Sequence, residues 1–199
     1  MLRHLAGAAC AVAMAGGAGA QEGGFYGIEK FTVVYELQGA ENGSITEHVR
    51  DWGGLRAEIK DTTFSLGDFT ETTRQRVVTE GDLVVIHDEV TNETWRSEGA
   101  SPTAAAGEGG GDASGQAFLA AMGGEATGGT ASYAGLECAE WSVPGLNSDV
   151  CITAEGVTLF TRTAIGGLVA ERTAVEVRLG DGGPDSAFEY DAAAITPAR

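Results

Sequence analysis

From Phe31 to Leu37 the chain alternates strictly, placing Phe31, Val33, Tyr35 and Leu37 on one side of a pleat. A period of two marks a strand with one buried face. The same pattern returns along the chain, and glycine-containing turns stop each run, which restricts the fold more than any other feature. Gly39-Ala40-Glu41-Asn42-Gly43 leads into Ser44–Trp52, where Ile45 and Val49 oppose Thr46, His48, Arg50 and Trp52. Gly53-Gly54 leads into Leu55–Lys60, in which Leu55, Ala57 and Ile59 alternate with Arg56, Glu58 and Lys60. Residues 61–72 are less regular. Arg74–Thr79 and Leu83–Asp88 flank the turn Glu80-Gly81-Asp82, and Glu93–Ser97 carries Trp95. The last third adds Gly135–Trp141, Asp149–Thr153, Val157–Ala164, Leu168–Leu179 and a closing Phe188–Tyr190. The pattern predicts about ten strands joined mostly by hairpin-length turns. An antiparallel sheet of that width must curl. A mainly β fold is expected, a curved antiparallel sheet forming a half-barrel, that is, an unclosed β-barrel.

One segment breaks the pattern. From Ser97 to Thr130 the chain is dominated by Gly, Ala, Ser and Thr. This reads as an insertion at about 98–131, with too few large apolar residues for sheet. Within it, Gln116–Met122 has good helix formers and one apolar side, so one short helix is predicted. Its flanks, Ala104–Ser114 and Gly123–Thr130, read as linker. Gly109-Gly110-Gly111 lacks the Lys-Ser/Thr pair and the parallel strand of a phosphate loop.

The chain opens with Arg3 and His4, then an uncharged run from Leu5 to Ala20 ending in Ala18-Gly19-Ala20. A basic start, an apolar run too short to span a bilayer and a small-x-small exit read as a signal peptide over 1–20, cleaved after Ala20. Cys10 lies inside it. Gly7-Ala8-Ala9 lacks the aliphatic residue of a lipidation site, and the apolar run continues past Cys10 through Met14. The mature chain is then read as one β-rich domain over 21–199. Export implies an oxidising compartment, and Cys138 and Cys151 remain as the single intramolecular pairing. They are predicted to be disulfide-bonded, because a redox or metal pair wants closer spacing.

The formal net charge is −17, and it becomes one unit more negative without Arg3. No basic patch is available for nucleic acid or an anionic membrane surface, so neither is expected as a partner. No integral membrane segment is expected either. Catalytic motifs are lacking: no serine sits in a G-x-S-x-G elbow, and the mature chain has only His48 and His87. His87-Asp88-Glu89 is the densest titratable cluster, but neighbours on a strand point to opposite faces. It reads as a hairpin end. Asn42-Gly43-Ser44 and Asn92-Glu93-Thr94 read as turns. No cofactor and no metal are expected, and the chain is read as a non-enzyme.

Three aromatics carry the functional reading. Trp52, Trp95 and Trp141 each fall at a predicted strand end. They serve either as core anchors under the insertion or as the lining of an apolar ligand cavity. Phe118 and Met122 of the predicted helix would supply a cap. The order of elements adds to this. Phe31-Thr32-Val33-Val34-Tyr35, the strands around Glu80-Gly81-Asp82 and the helix-bearing insertion after Trp95 come first. Gly135-Leu136-Glu137-Cys138-Ala139-Glu140-Trp141, Cys151-Ile152-Thr153-Ala154-Glu155-Gly156-Val157 and Phe188-x-Tyr190 follow. Together these resemble uncharacterised exported bacterial proteins related to the periplasmic lipoprotein-carrier (Lol carrier) fold. That resemblance implies an unclosed barrel capped by helices around an apolar cavity for acyl chains, in the periplasm. The chain departs from that fold in having no predicted helix between the signal and the first strand. The expected function is a non-enzymatic, carrier-like module for an apolar or lipid-like ligand, with Trp52, Trp95, Phe118, Met122 and Trp141 at the site. An envelope scaffold with no small-molecule ligand is the alternative, and a hydrolase of unknown type comes third. The sequence names no protein partner.

Overall fold

A computed structural model describes residues 24–97 and 115–196. The signal segment with its cleavage site, Cys10 and the Ala104–Ser114 stretch lie outside those residues.

Twelve strands and one α-helix make up the described chain. The first six are β1 (Phe31–Gly39), β2 (Glu41–Arg50), β3 (Leu55–Leu66), β4 (Phe69–Glu80), β5 (Leu83–Asp88) and β6 (Glu93–Ser97). Helix α1 (Gly115–Ala121) follows. Then come β7 (Glu125–Tyr133), β8 (Leu136–Val143), β9 (Ser148–Ile152), β10 (Thr158–Ile165), β11 (Leu168–Leu179) and β12 (Ile195–Thr196). All the strands form one sheet in the order β12-β6-β5-β4-β3-β2-β1-β11-β10-β9-β8-β7. Every pairing is antiparallel except that of β12 with β6. Two hairpin meanders, β1–β6 and β7–β11, thus meet where β1 pairs with β11. Strands β7 and β12 end the sheet at opposite edges, so the half-barrel is unclosed.

Four local expectations are corrected. The irregular stretch 61–72 is the far half of one long hairpin, with β3 and β4 in register from Leu55↔Glu80 to Leu66↔Phe69. Gly123–Thr130, read as linker, largely belongs to β7, which pairs with β8 at the sheet edge. An edge strand needs one ladder of backbone hydrogen bonds and little side-chain burial, so its small residues are tolerated. Ser44–Trp52 stops at Arg50, and Asp51–Gly53 forms a 3-10 turn with Trp52 in the left-handed region. Phe188–Tyr190 is not a strand: Asp185–Ala187 is a 3-10 turn, and the last strand is β12.

Across its centre the sheet is buried on both faces. We call inner the face under α1. It carries Phe31, Val33, Tyr35 and Leu37 of β1 with Ile45 and Val49 of β2, all in one apolar cluster. The outer face carries the cross-strand row Thr32, His48, Ala57, Val78 and Val85, all buried. The segment after β11 is tied onto it. Arg50 donates from Nε to the Gly182 carbonyl at 3.0 Å and bonds the Gly183 carbonyl, while its Nη1 reaches Asp185 at 2.8 Å. Thr32 donates to the Asp181 carbonyl at 2.9 Å. At Arg56 and Ala57, alternation therefore marks two covered faces rather than one, while Ile59 is exposed.

Cys138 and Cys151 form a disulfide between β8 and β9, with Cα atoms 5.4 Å apart. Both are buried within the main apolar cluster. Among the described residues no helix is long and apolar enough to cross a membrane.

Candidate functional site

A cavity of about 270 Å³ lies between α1 and the inner face. Its floor is sheet: Phe31 and Tyr35, then Val150 and Ile152 of β9, with Val157 at the foot of β10. Its roof is Phe118 and Leu119 of α1 and the aromatic pair Phe25 and Tyr26 ahead of β1.

Two local devices hold that roof down. The Trp52 carbonyl accepts from the backbone N–H groups of Phe25 (2.8 Å) and Tyr26 (3.1 Å), and the Glu155 carbonyl accepts from Gly27 at 2.8 Å. Phe25 and Tyr26 pack edge to face at 4.8 Å, and Phe25 meets the Phe118 ring at 6.0 Å. The start of α1 then lies against the turn before β10 through two glycines. A Cβ on Gly156 would fall 2.8 Å from the Gly115 nitrogen, and one on Gly115 would fall 2.4 Å from Ile152 Cδ1. Gly156 also has φ +89, a conformation that side chains disfavour.

One end of the cavity is charged. Glu47 lies on the inner face between Ile45 and Val49, and only 4% of it is exposed. It pairs with Arg56 of β3 and with Arg172 of β11, the latter at 3.2 Å. The Arg172 guanidinium lies 3.6 Å above the Tyr35 ring. The Tyr35 hydroxyl donates to the Thr158 carbonyl at 2.8 Å. Burial pushes the Glu47 carboxyl up, but Arg56 and Arg172 together outweigh it, so Glu47 stays ionised below the usual carboxylate range. Burial, with the Glu47 charge second, raises both Tyr26 and Tyr35, which stay neutral phenols.

A β-bulge puts Arg172 there. Register runs Val33↔Val177 and Val34↔Glu176, then shifts so that Tyr35 opposes Ala174 and Leu37 opposes Arg172. Val175 is the extra residue and is half-exposed. A one-residue shift exchanges the faces of all that follows. Val177 and Arg172 differ by an odd number of positions, yet both share the face of Val33 and Leu37.

The residues singled out from the sequence are placed as follows. Phe118 lines the cavity. Trp141 packs beside it on the cluster of Leu119, Val143, Val150 and Ile152. Trp52, Trp95 and Met122 do not line it: Trp52 supplies a backbone carbonyl, Trp95 pairs with Ile86 near the far edge, and the Met122 side chain is exposed. Sequence reasoning missed Glu47, Arg56, Arg172, Tyr26 and Phe25. Glu47 had left a signal, an acid on the apolar side of its strand. His87-Asp88-Glu89 resolves into a hairpin end, where His87 Nδ1 lies 2.9 Å from Thr94 Oγ1 and Asp88 accepts from the amides of Val90 and Thr91.

The class defined is an open antiparallel half-barrel with a helix-capped cavity that is apolar at one end and cationic-acidic at the other. No family model and no curated protein matches the chain in sequence. Among solved structures, an uncharacterized conserved protein from Thermus thermophilus aligns over 85% of this chain and 90% of its own, with TM-score 0.52 and 12% identity. At that identity the likeness concerns the fold alone. A chain of the Pseudomonas aeruginosa MucA/MucB complex aligns over 82% of this chain and 56% of its own, with TM-score 0.46 and 12% identity.

Proposed function

We propose that this chain is a non-enzymatic, carrier-like binding module of the periplasm that holds an apolar or lipid-like ligand between α1 and the half-barrel. The observation that carries the reading is the cavity itself, whose roof and floor include Phe25, Phe118, Leu119, Val150, Ile152 and Val157. A concave, mostly apolar pocket with a few convergent polar groups is the usual form of a small-molecule site. The unclosed barrel with a helix over one face also supports the resemblance to the lipoprotein-carrier fold. The Cys138–Cys151 bridge supports an oxidising compartment. The charged end argues for binding rather than catalysis. Glu47 is held ionised by two guanidiniums, so it is a poor general acid, and its lowered basicity makes it a poor general base.

The test is titration of the mature protein with N-phenyl-1-naphthylamine, a neutral apolar fluorophore. Saturable enhancement is expected, and Phe118→Asp should weaken it at least tenfold while the far-ultraviolet circular dichroism stays that of the sheet. If the fluorophore does not bind the wild-type protein, the carrier reading fails and the scaffold reading replaces it.

A further inference from the structure

The cavity proposed as the ligand site has unlike ends, and the charged end holds more donors than its acid can occupy. Two guanidiniums converge there from β3 and β11, and one buried carboxylate stands between them. Arg56 and Arg172 each give an Nη2 hydrogen to Glu47. The Nε of both is buried with no acceptor among the described residues. Those Nε atoms lie away from the cavity; it is the guanidinium side chains of Arg56 and Arg172 as wall residues that offer donors to an oxygen ligand there. Glu58, opposite Glu47 in the β2–β3 ladder, attracts both guanidiniums through space and is half-buried. Thr161 and the Tyr35 hydroxyl add neutral polar groups at the same wall.

The apolar end begins within the same cavity, at Phe25, Phe118, Leu119, Val150 and Ile152. Its 270 Å³ limits the occupant. At roughly 30 Å³ per heavy-atom-sized unit, the share a water takes in the liquid, it encloses about nine heavy atoms of an occupant. A phospholipid or a multiply acylated lipoprotein anchor does not fit whole. A short single chain with a small planar head does, and a carboxylate matches the geometry of the guanidinium fork.

We propose that the ligand is a short single-chain carboxylate, its head on Arg56 and Arg172 and its alkyl chain under Phe118 and Leu119. The proposal rests on the reading of this cavity as the ligand site and specifies its ligand.

The experiment is isothermal titration of the mature protein at neutral pH with octanoate, 1-octanol and octyltrimethylammonium, repeated on Arg172→Gln. Octanoate should bind at least tenfold more tightly than octanol, and the cationic amphiphile should bind more weakly than either. In Arg172→Gln, octanoate should weaken about tenfold to hundredfold, the range a charge-assisted hydrogen bond commands. Octanol on the same variant reports any change in the cavity itself, so the readout is the octanoate-to-octanol affinity ratio, which should fall about tenfold or more. Octanol binding as tightly as octanoate, or octanoate and octanol weakening together in the variant, overturns the carboxylate assignment and leaves the apolar site standing. If neither octanoate nor octanol binds the wild-type protein, the cavity reading itself falls. The wild-type comparison of the three probes decides the matter even if Arg172→Gln does not fold.

Discussion

Removing the Glu47 carboxylate separates what the charged trio does for stability from what it does for the cavity. Glu47→Gln keeps the side chain's size but leaves two guanidiniums facing one another without their anion. The Glu47 side chain is 6% exposed, against 21% for Arg56 and 30% for Arg172. Taking one partner from a buried ion pair costs about 3–5 kcal/mol. Both cations here keep some contact with solvent, which screens them, so the low end of about 3 kcal/mol is expected. At a urea slope of about 2–3 kcal/mol per molar, the unfolding midpoint should fall by about 1–1.5 M. The informative partner is the triple variant Glu47→Leu, Arg56→Met, Arg172→Met. It removes every charge of the trio and fills the space with apolar atoms. A buried ionic group exchanged whole for apolar residues is often neutral or stabilising, so the triple variant should lie within about 1 kcal/mol of wild type or above it.

The acid side gives a second handle. Because Glu47 titrates lower in the folded chain than in the unfolded one, its contribution is fully present above the unfolded value of about 4.3 and is lost as pH falls through the native value. The gap between wild type and Glu47→Gln should therefore narrow in acid. Urea melts by tryptophan fluorescence and circular dichroism across that range would measure it. A triple variant as unstable as Glu47→Gln would refute the reasoning, since the trio would then be holding the fold by its own attraction. A stable triple variant that no longer binds octanoate would place the trio's value in ligand recognition.

Three further outcomes follow from named contacts. Cys138→Ala opens a bridge across 13 positions, and urea melts should show a loss of about 3 kcal/mol by the chain-entropy relation, with no further loss on adding reductant. Gly156→Val places a branched side chain at φ +89 against the Gly115 backbone; it should lift α1 and abolish saturable naphthylamine binding while the sheet's circular dichroism is retained. His48 gives a pH signature of its own. Burial, then the nearby Arg178 cation, holds its imidazole below the ordinary value, with Arg50 acting in the same sense and Asp181 and Glu47 opposing. Thr32 Oγ1 gives its proton to the Asp181 carbonyl, so the 2.8 Å contact from His48 Nδ1 is a donation by the imidazole. The folded state thus resists the second proton, and stability should fall as pH drops below about 6.5, the unfolded value. In His48→Asn the part of that slope due to the imidazole should vanish; equal slopes in the two proteins would count against it.

Much of the fold was legible because most strands alternate and most turns carry glycine. The curved unclosed sheet, the short helix and the Cys138–Cys151 pairing all follow from local rules that tertiary packing did not override. Strand β7 was missed because composition is a weak guide at an edge, where the backbone ladder does the pairing and side chains such as Thr127 and Ala131 need only be small. The site was harder. Phe25 and Tyr26 sit in a glycine-containing lead-in with no period, so nothing local marks them as a roof. Arg56 alternates with Leu55 and Ala57, and where the sheet is covered on both faces that alternation does not say which side holds the cavity. Only Glu47 was readable in principle, as an acid flanked by Ile45 and Val49 on the apolar side of its strand.

Arg172 shows why no motif could have announced the charged end. In an unbroken β11 ladder, the inner face would hold either Val177 or Arg172, since they stand an odd number of positions apart. The half-exposed Val175 absorbs one residue and lets the chain have both. Val177 packs against the apolar floor near Val33, and Arg172 lies over Tyr35 and reaches Glu47. The cavity's polarity is therefore a product of register. A sequence keeping every site residue but losing the bulge would turn Arg172 and Ala174 outward together, leaving Glu47 with Arg56 alone and giving the head of the proposed ligand one guanidinium instead of two.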